Sequence, residues 1–441
     1  MNHKLLLFLC LSLPGWLLAQ QPLSLGEAIA IGMRNNYQIR IADLNQRVAE
    51  ANNTWGNAGA LPRLDLNVNG RFFRTQNPAS FFAGNENISP GLALNWTVFD
   101  GFAMFASKER FELLEEQSAG NAAVVVENTI QAITLAYYDA LVVQEQVDVL
   151  QEVLDNSKQR LEYEQFRLEL GSTSTFDLLQ FENAVITDST NLVTQQLNLR
   201  NTLRNLLLLM QEPLDQQYRL SDTLNTEFES YSLVDLEGKM LASNNNLQNQ
   251  YLVQQIRRQE TRQTEALYYP TLSVGANANA SQGTTLFASR DTANPEAAPT
   301  RVPVDWATDY AFSFTLSFNI FDGFNRQRQV QLAQINEAIA SMETRDLEQS
   351  LQNELFVTYD NYEARRQIYA LQAQNVANAR LNLDLANDRF QSGLINTFDF
   401  RQIQLQYLNA QLARLQALRD LNSSETELIR LTGGLVREEE G

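Results

Sequence analysis

The sequence TVFDGF occupies Thr97–Phe102, and NIFDGF occupies Asn319–Phe324. Each copy follows a segment in which apolar and polar residues alternate, and each precedes a long segment that contains no proline. Alternation is typical of a strand, and the absence of proline favours a helix, so the motif is predicted to join a strand to a helix twice. Its aspartate is placed to cap the first free N–H groups of the helix, and its glycine lets the chain turn. The residues predicted for these roles are Asp100, Gly101, Asp322 and Gly323.

The spacing between the two motifs reflects a tandem duplication. At the same offset of 222 residues, Tyr137 falls on Tyr359, and GSTSTFD at 171–177 falls on GLINTFD at 393–399. Before the motif the offset is 208, which places a 14-residue insertion between the two strands of the second copy. Repetition over this length indicates one structural unit used twice. The predicted divisions are a first repeat at 20–211, an equatorial linker at 212–231, a second repeat at 232–432 and an acidic tail at 433–441.

Each copy is predicted to contain a short helix, two strands, a long helix and a second short helix, so the chain is mainly α. The long helices are predicted at 102–170 and 324–392, and helices of this length extend roughly 100 Å. In the second, Leu355, Tyr362 and Tyr369 recur every seven residues, which is typical of coiled-coil packing. The short helices are predicted at 24–60, 175–210, 232–268 and 397–432, and the strands at 64–73, 91–99, 272–280 and 311–321.

The predicted strands have one apolar face and one polar face. In the last of them, Phe312, Phe314 and Leu316 alternate with Ser313 and Thr315, as in strands of membrane barrels. A half-buried soluble sheet also alternates, but the aromatic residues near the strand ends favour the membrane. Four strands are too few to close a barrel, and an open edge in lipid leaves backbone groups unpaired, so several chains are expected to build one barrel. The residues between paired strands are predicted to be irregular loops outside the cell.

The N-terminal segment indicates export from the cytoplasm. An apolar run at 5–18, followed by LLAQQ, predicts a signal peptide at 1–19 that is too short to span a membrane. Its cleavage removes His3 and Cys10, the single His and Cys of the sequence. The mature chain is therefore expected to hold no disulfide, no Cys/His metal site, no His-based catalytic triad and no cofactor.

The charge balance also excludes several classes of function. The sequence has 33 basic residues against 52 acidic ones, and loss of Lys4 with the signal peptide makes its net charge of −19 more negative. An acidic surface repels nucleic acid, so no nucleic-acid partner is expected. No later segment approaches the ~18 continuous apolar residues of a transmembrane helix. The sequence contains no GxxxxGK[ST] phosphate-binding loop, so energy for transport must come from a partner.

The duplication, FDGF at each junction and a G-x5-D turn between each long helix and the following short one resemble the TolC-like outer membrane efflux protein family, over essentially the whole mature chain. The resemblance implies a homotrimer in the outer membrane of a Gram-negative bacterium. Each chain would give four strands to a twelve-stranded β-barrel that continues as a long periplasmic α-helical barrel, and the linker and tail would form a belt around it. The implied partners are a periplasmic adaptor, an inner-membrane pump and outer membrane lipid.

The resemblance also implies that the two G-x5-D turns have functional roles. Family members dock their adaptor on these turns, and the matching residues are Gly171, Ser172, Thr175, Gly393, Leu394 and Thr397. Family members also narrow the pore at this end with acidic residues, and the positions matched to that constriction are Asp177, Asp399, Arg401 and Gln402. Gln402 stands where relatives often keep a second acid, so closure by rings of acids and preference for cations are expected to be weaker in this chain.

Ordinary capping chemistry explains many of the same residues. Glycine commonly ends a helix, Thr175 or Thr397 would serve as an N-cap, and an aspartate in the first turn interacts favourably with the helix dipole. Two interpretations also remain for Arg401. It either pairs with a neighbouring acid and holds the closed state, or it is merely solvated.

The sequence favours an export duct over three other functions. A passive exit duct, opened at its periplasmic tip by an adaptor and pump, would expel small molecules or, in type I secretion, polypeptides. An ungated porin should carry all its strands in one chain and no helices of this length. An envelope-spanning structural tube would not need a polar strand face. An enzyme is disfavoured because no catalytic motif is found.

Overall fold

The protein is described by a computed structural model over residues 21–77, 81–288 and 300–435. The predicted signal peptide and the end of the acidic tail lie outside the described residues. The pattern of contacts between residues divides the chain into two compact units. Within the described residues, the first unit contains 21–40, 125–244 and 351–435, and the second contains 41–77, 81–124, 245–288 and 300–350.

Helices make up most of the described chain, and each repeat contains one helix of 67 residues. In chain order the elements are β1 (Gln21–Leu23), α1 (Leu25–Asn35), α2 (Tyr37–Asn52), β2 (Arg63–Asn77), β3 (Phe81–Phe99), α3 (Ala103–Glu169), α4 (Thr175–Met210), β4 (Tyr218–Leu220), α5 (Leu233–Ser243), α6 (Asn245–Glu265), β5 (Thr271–Ala288), β6 (Thr300–Ser317), α7 (Asn325–Gln391) and α8 (Thr397–Leu431). A 3-10 turn at Ala266–Tyr268 follows α6. No described helix is both long and apolar enough to cross a membrane.

The first short helix of each repeat is divided in two, which corrects the single helices predicted at 24–60 and 232–268. The divisions fall at Asn36 and Asn244, which match each other in the repeat and have extended backbones. The Asn36 side chain accepts a hydrogen bond from the Gln38 N–H at 2.7 Å. An asparagine that caps a following helix in this way ends the preceding one. In the first repeat, α2 ends at Asn52, earlier than the predicted end at residue 60.

The four long strands form one antiparallel sheet in the order β2-β3-β5-β6 within the second unit. They are longer than predicted, so most residues assigned to irregular loops belong to strands. The exception is the end of β6, at Ser317 rather than 321. Backbone hydrogen bonds can extend a pair of strands regardless of which side chains the residues carry. Alternation of apolar and polar residues therefore identifies only the part of each strand that has one apolar face. Between β3 and β5 the pairing stops at Ile88 and resumes in register at Gly91. Pro90, which has no N–H to donate, lies in that gap.

The register of the sheet separates an apolar face from a polar one. Across the four strands, Leu64, Leu94, Ala276 and Phe312 form one row, and Asp65, Ala93, Asn277 and Ala311 form the next. Large hydrophobic side chains of β6 are exposed, and the most exposed within the strand are Tyr310, Leu316 and Phe314, at 80%, 71% and 70%. An exposed apolar face of this kind indicates a surface that is covered by lipid or by another chain.

In the first unit, a tyrosine hydroxyl joins each long helix to the chain just before the first short helix of its repeat. The buried Tyr137 donates a hydrogen bond to the Leu23 carbonyl oxygen at 2.8 Å. Its repeat equivalent, Tyr359, donates to the Tyr231 carbonyl oxygen at 3.3 Å. Leu23 and Tyr231 are also equivalent, since each immediately precedes the Ser-Leu pair that starts a short helix. We call these two bonds the tyrosine clasps.

The linker strengthens the first clasp. Strand β4 of the linker pairs in parallel with β1, which holds Leu23 in place. Asp222 then accepts hydrogen bonds from the Tyr137 hydroxyl at 3.0 Å and the Leu25 N–H at 2.6 Å. Burial and the neighbouring Asp222 carboxylate raise the pKa of Tyr137 well above its usual value, so the hydroxyl remains protonated and donates at all ordinary pH values.

The tyrosine clasps predict a difference in stability between conservative variants. Tyr137→Phe is expected to lower the free energy of unfolding by about 1–3 kcal/mol, because it removes the buried hydroxyl that donates to both the Leu23 carbonyl oxygen and the Asp222 carboxylate. Tyr359→Phe, with a longer and less buried bond, should cost about 0.5–1.5 kcal/mol. Urea titrations followed by circular dichroism measure both. The matched control is Tyr37→Phe, whose ring is exposed, and equal midpoints for that variant and Tyr137→Phe would contradict the role of the clasp.

Candidate functional site: the two hairpin turns

The turns between α3 and α4 and between α7 and α8 share one geometry. At the first, the Gly171 N–H donates to the Leu168 carbonyl at 2.9 Å and the Ser172 N–H to the Arg167 carbonyl at 2.8 Å. At the second, Gly393 and Leu394 make the equivalent bonds at 3.0 and 2.8 Å, to the carbonyls of Phe390 and Arg389. The two glycines have φ values of 70° and 69°. This left-handed ending satisfies the last carbonyls of the helix, and glycine adopts it without strain.

The helices after the turns begin at the predicted residues, but their N-caps lie one residue earlier than predicted. The N-caps are Ser174 and Asn396, not Thr175 and Thr397, which are the first residues of α4 and α8. The Ser174 hydroxyl accepts a hydrogen bond from the Asp177 N–H at 3.2 Å, and the Asn396 amide oxygen accepts one from the Asp399 N–H at 2.8 Å. Serine and asparagine are both strong N-caps.

A direct hydrogen bond joins the two turns. The Thr397 hydroxyl, in a residue that is 6% exposed, donates to the Asp177 carboxylate at 2.9 Å. The Ser174 hydroxyl donates to the other carboxylate oxygen at 2.6 Å. These donors hold the pKa of Asp177 below its usual value, the Ser174 hydroxyl most strongly. Asp177 is therefore engaged within the protomer.

Aromatic rings pack directly behind the turns. Phe390 of α7 stacks on Phe400 of α8 with ring centroids 5.0 Å apart, and Phe181 of α4 meets Phe390 edge-on at 6.0 Å. All three rings are at most 5% exposed. Leu161 of α3 packs against the same cluster. Each of the four helices thus contributes to one apolar cluster that fixes the turns relative to each other.

A buried ion pair lies next to this cluster. The two terminal guanidinium nitrogens of Arg401 donate to the Asp188 carboxylate, at 3.0 and 2.5 Å, and the Asp188 side chain is 1% exposed. The Ser157 hydroxyl donates to the same carboxylate at 2.7 Å, and Arg401 also donates to the Gln404 amide oxygen at 2.9 Å. The pair connects α8 to α3 and α4 through charge-assisted bonds. Of the two interpretations of Arg401, the structure supports the one in which it pairs with an acid, which is Asp188.

The four residues assigned to a constriction therefore lie in two different environments. Asp399 and Gln402 are exposed on α8, whereas Arg401 and Asp177 are bound inside the protomer. A lumen-facing role requires exposure, which only the first two have, and their part in a constriction remains a prediction. Among the predicted docking residues, Gly171, Ser172, Thr175, Gly393 and Leu394 are exposed, and Thr397 is buried.

The sequence analysis missed Asp188 and Ser157. Asp188 follows Phe181 and Ala184 and precedes Leu192 at spacings of three and four residues, so it lies on the buried face of α4. That position was the available signal, because an acid on an apolar face must find a buried partner. The partner, Arg401, is 213 residues away and could be identified only from the tertiary structure.

The two strand-to-helix junctions differ, although both read FDGF. Asp322 accepts hydrogen bonds from the Asn325 and Arg326 N–H groups at 3.1 and 3.0 Å, as predicted for a cap. Asp100 does not repeat this, which corrects the prediction for the first junction. Its Oδ1 is buried without a hydrogen-bond partner among the described residues. Gly101 has φ 70° and packs so closely on the Ala266 carbonyl that a Cβ would lie 2.5 Å from it, whereas a Cβ on Gly323 would meet nothing within 4 Å.

In the described part of the chain, no group of His, Cys, Asp and Glu residues is arranged to hold a metal ion. The acids near the turns are used in hydrogen bonds and ion pairs or stand apart at the surface. The chemistry of the turns is therefore that of packing and capping, with exposed acidic and amide side chains on α8.

Comparison with known proteins gives a consistent match. The model of the family described as outer membrane efflux protein matches residues 33–210 and 236–434. No curated protein sequence is similar to the chain. Among solved structures, CusC has a TM-score of 0.77 at 15% identity, covering 93% of this chain and 92% of that chain.

Two other channels give similar values. The CmeC outer membrane channel of Campylobacter jejuni has a TM-score of 0.74 at 14% identity, covering 94% of this chain and 88% of that chain. The outer membrane protein VceC of Vibrio cholerae has a TM-score of 0.72 at 15% identity, covering 93% of this chain and 96% of that chain. At these identities the likeness shows the fold alone, and it confirms the predicted fold class of a mainly helical, duplicated chain with membrane strands.

The bond between the turns predicts a pH-dependent contribution of Asp177. Its pKa is lowered in the folded chain, so the stabilisation is fully present above the unfolded value of about 3.9 and is lost as the pH falls through the folded value. The melting temperature of Asp177→Asn should therefore lie below that of the wild type at pH 7, and the difference should shrink below pH ~3.9. Asp399→Asn, at the equivalent but exposed position, is the control. A constant difference from neutral to acid pH would contradict the prediction.

The buried ion pair predicts a large effect of breaking it. Arg401→Met is expected to lower the free energy of unfolding by about 3–5 kcal/mol, because it leaves the Asp188 charge buried and unpaired. The double variant Arg401→Met, Asp188→Leu should recover most of that loss, since no charge is left behind. Denaturant titrations measure both, with Gln402→Ala as the exposed control on the same helix. If Arg401→Met unfolded at the control's midpoint, the pair would contribute no stability.

Proposed function

The chain belongs to the outer membrane efflux protein family, and from this premise we propose that it is a passive exit duct, opened at its hairpin turns by an adaptor and an inner-membrane pump. Membership makes it an outer membrane transport channel with a periplasmic helical extension, in a family of non-enzymatic ducts of tripartite efflux systems. The finer statements, that this chain opens at its turns and which residues do so, are the proposal.

The observation that carries the proposal is the set of polar contacts that hold α8 to the first repeat at the turns. Thr397 bonds to Asp177, and Arg401 pairs with Asp188 and contacts Ser157. Both sets of bonds join residues more than 200 positions apart in the sequence. A structure that opens must exchange such contacts for others, and charge-assisted bonds can be exchanged for bonds to a partner or to water.

The exposed residues of the turns support docking of a partner. Phe176 and Phe398 occupy equivalent positions in the two repeats and are 68% and 65% exposed, beside Leu394 at 74%. Exposed apolar residues at a turn between two long helices favour contact with another protein. We propose that a periplasmic adaptor packs on these residues, so that binding there competes with the closed arrangement of the turns.

A homotrimer accounts for the sheet. Strands β2 and β6 are the two edges of a four-stranded sheet, and an edge in lipid must be paired because water cannot satisfy it there. Copies of the same chain supply the missing strands, with the β6 edge of one protomer beside the β2 edge of the next. The polar row that contains Asp65 and Asn277 would then face the lumen.

The proposal predicts distinct effects on planar-bilayer conductance of the detergent-purified oligomer. Arg401→Met should enlarge the conductance, because the bond that holds α8 to α4 is lost. Asp399→Asn should reduce cation preference, because the exposed acid on α8 is neutralised, and Gln402→Asp should increase it by adding an acid one turn further along the same helix.

A surface acid away from the turns provides the control. Asp43→Asn removes an exposed acid on α2 and should leave both conductance and ion preference unchanged. A large, steady and unselective conductance in the wild type, indifferent to the Arg401 and Asp399 variants, would mean that the turns do not gate the duct.

A further inference from the structure

A cavity of about 810 Å³ lies among α3, α7 and α8 in the first unit. Small-molecule sites commonly fall between about 300 and 1,000 Å³. Rings and hydrogen-bonding side chains from all three helices line the cavity, including Arg160, Tyr163, Asn387, Phe400, Tyr407 and Gln411. This mixture of aromatic surface with a few polar groups is typical of ligand sites, and the proposed function makes no use of it.

Arg160 is the distinctive residue of this cavity. Its guanidinium is half-buried, contacts the Asn387 amide oxygen and lies over the Phe400 ring with 5.2 Å to the centroid. In the part of the chain that the structure describes, no carboxylate lies within ion-pair distance of it. Glu164, one turn further along α3, is paired with Arg167 at 3.0 Å. Burial also lowers the pKa of Arg160. A half-buried cation without a direct ion-pair partner favours a ligand that supplies an anion.

The remaining charges of the cavity limit the ligand to a single negative charge. Arg380 is exposed, lies 3.6 Å from Asp384 and donates to the Tyr407 hydroxyl at 3.2 Å. Its charge is therefore already paired within the protein. Glu152 and Asp384 line the same cavity and would repel further negative charge. A polyphosphate or other polyanion is therefore disfavoured.

We propose that the cavity binds an aromatic monoanion, such as an aromatic carboxylate or sulfonate. Its charged group pairs with the Arg160 guanidinium, whose planar fork matches the two oxygens of a carboxylate. Its rings pack against Tyr163 and Tyr407, which line the same cavity. Because these side chains come from both repeats, a bound ligand joins α3 to α7 and α8 and stabilises the arrangement in which the cavity exists.

The test is calorimetric titration of the full mature chain, purified as the oligomer in a neutral detergent, with two matched probes. 1-Naphthoate carries the ring and the charge, and 1-naphthalenemethanol carries the same ring without the charge. Naphthoate is expected to bind, and the alcohol should bind at least about tenfold more weakly, the factor given by a charge-assisted hydrogen bond. Arg160→Gln should weaken naphthoate binding by a similar factor and leave binding of the alcohol unchanged.

Two further variants guard against a folding defect. Lys158→Gln removes an exposed charge two residues away on α3 and should leave naphthoate binding unchanged. Asn387→Asp keeps Arg160 and the size of its neighbour but supplies a carboxylate from the protein itself, so it should abolish naphthoate binding. The proposal is overturned if naphthoate does not bind the wild type, if the two probes bind equally, or if Asn387→Asp and Arg160→Gln bind naphthoate like the wild type. None of these outcomes depends on conductance or on an adaptor.

Discussion

The need to satisfy backbone N–H and C=O groups where elements end governs this structure. Very long helices and strands are joined by short turns, so few turns determine how all of them pack. Ser174 and Asn396 cap the helices that leave the hairpin turns, and Gly171 and Gly393 end those that enter them. In the sheet the same requirement remains open, because no strand among the described residues lies beside the outer edges of β2 and β6.

The two repeats retain the same framework and have diverged in its details. The tyrosine clasps occur in both copies, with Tyr137 and Tyr359 bonded to equivalent carbonyls. Other equivalent pairs have separated in role. Asp322 caps a helix while Asp100 does not, and Asp177 is bound to the opposite turn while its equivalent, Asp399, is exposed. In each of these two pairs, one copy of the aspartate makes the structural hydrogen bonds and the other copy does not.

Buried charge is treated in two contrasting ways in the first unit. Arg401 is matched by a bidentate carboxylate and further hydrogen bonds, so its cost of burial is offset inside the protein. Arg160 has an amide and a ring as neighbours and no carboxylate within ion-pair distance among the described residues. The first arrangement holds helices together, and the second leaves an attraction for an anion from outside.

The sequence by itself determined the duplication, the long helices, the alternating strands and the turns at Gly171 and Gly393, because each is a local pattern of period, proline and glycine. It did not determine the break at Asn36, the strand ends or the N-caps, where several neighbouring residues can cap equally well. The tertiary structure alone decided that Asp188 meets Arg401, that Asp177 meets Thr397 and that Asp100 lacks the bonds of Asp322. Such pairings depend on how two distant repeats pack, and no local pattern of residues records a contact between positions more than 200 residues apart.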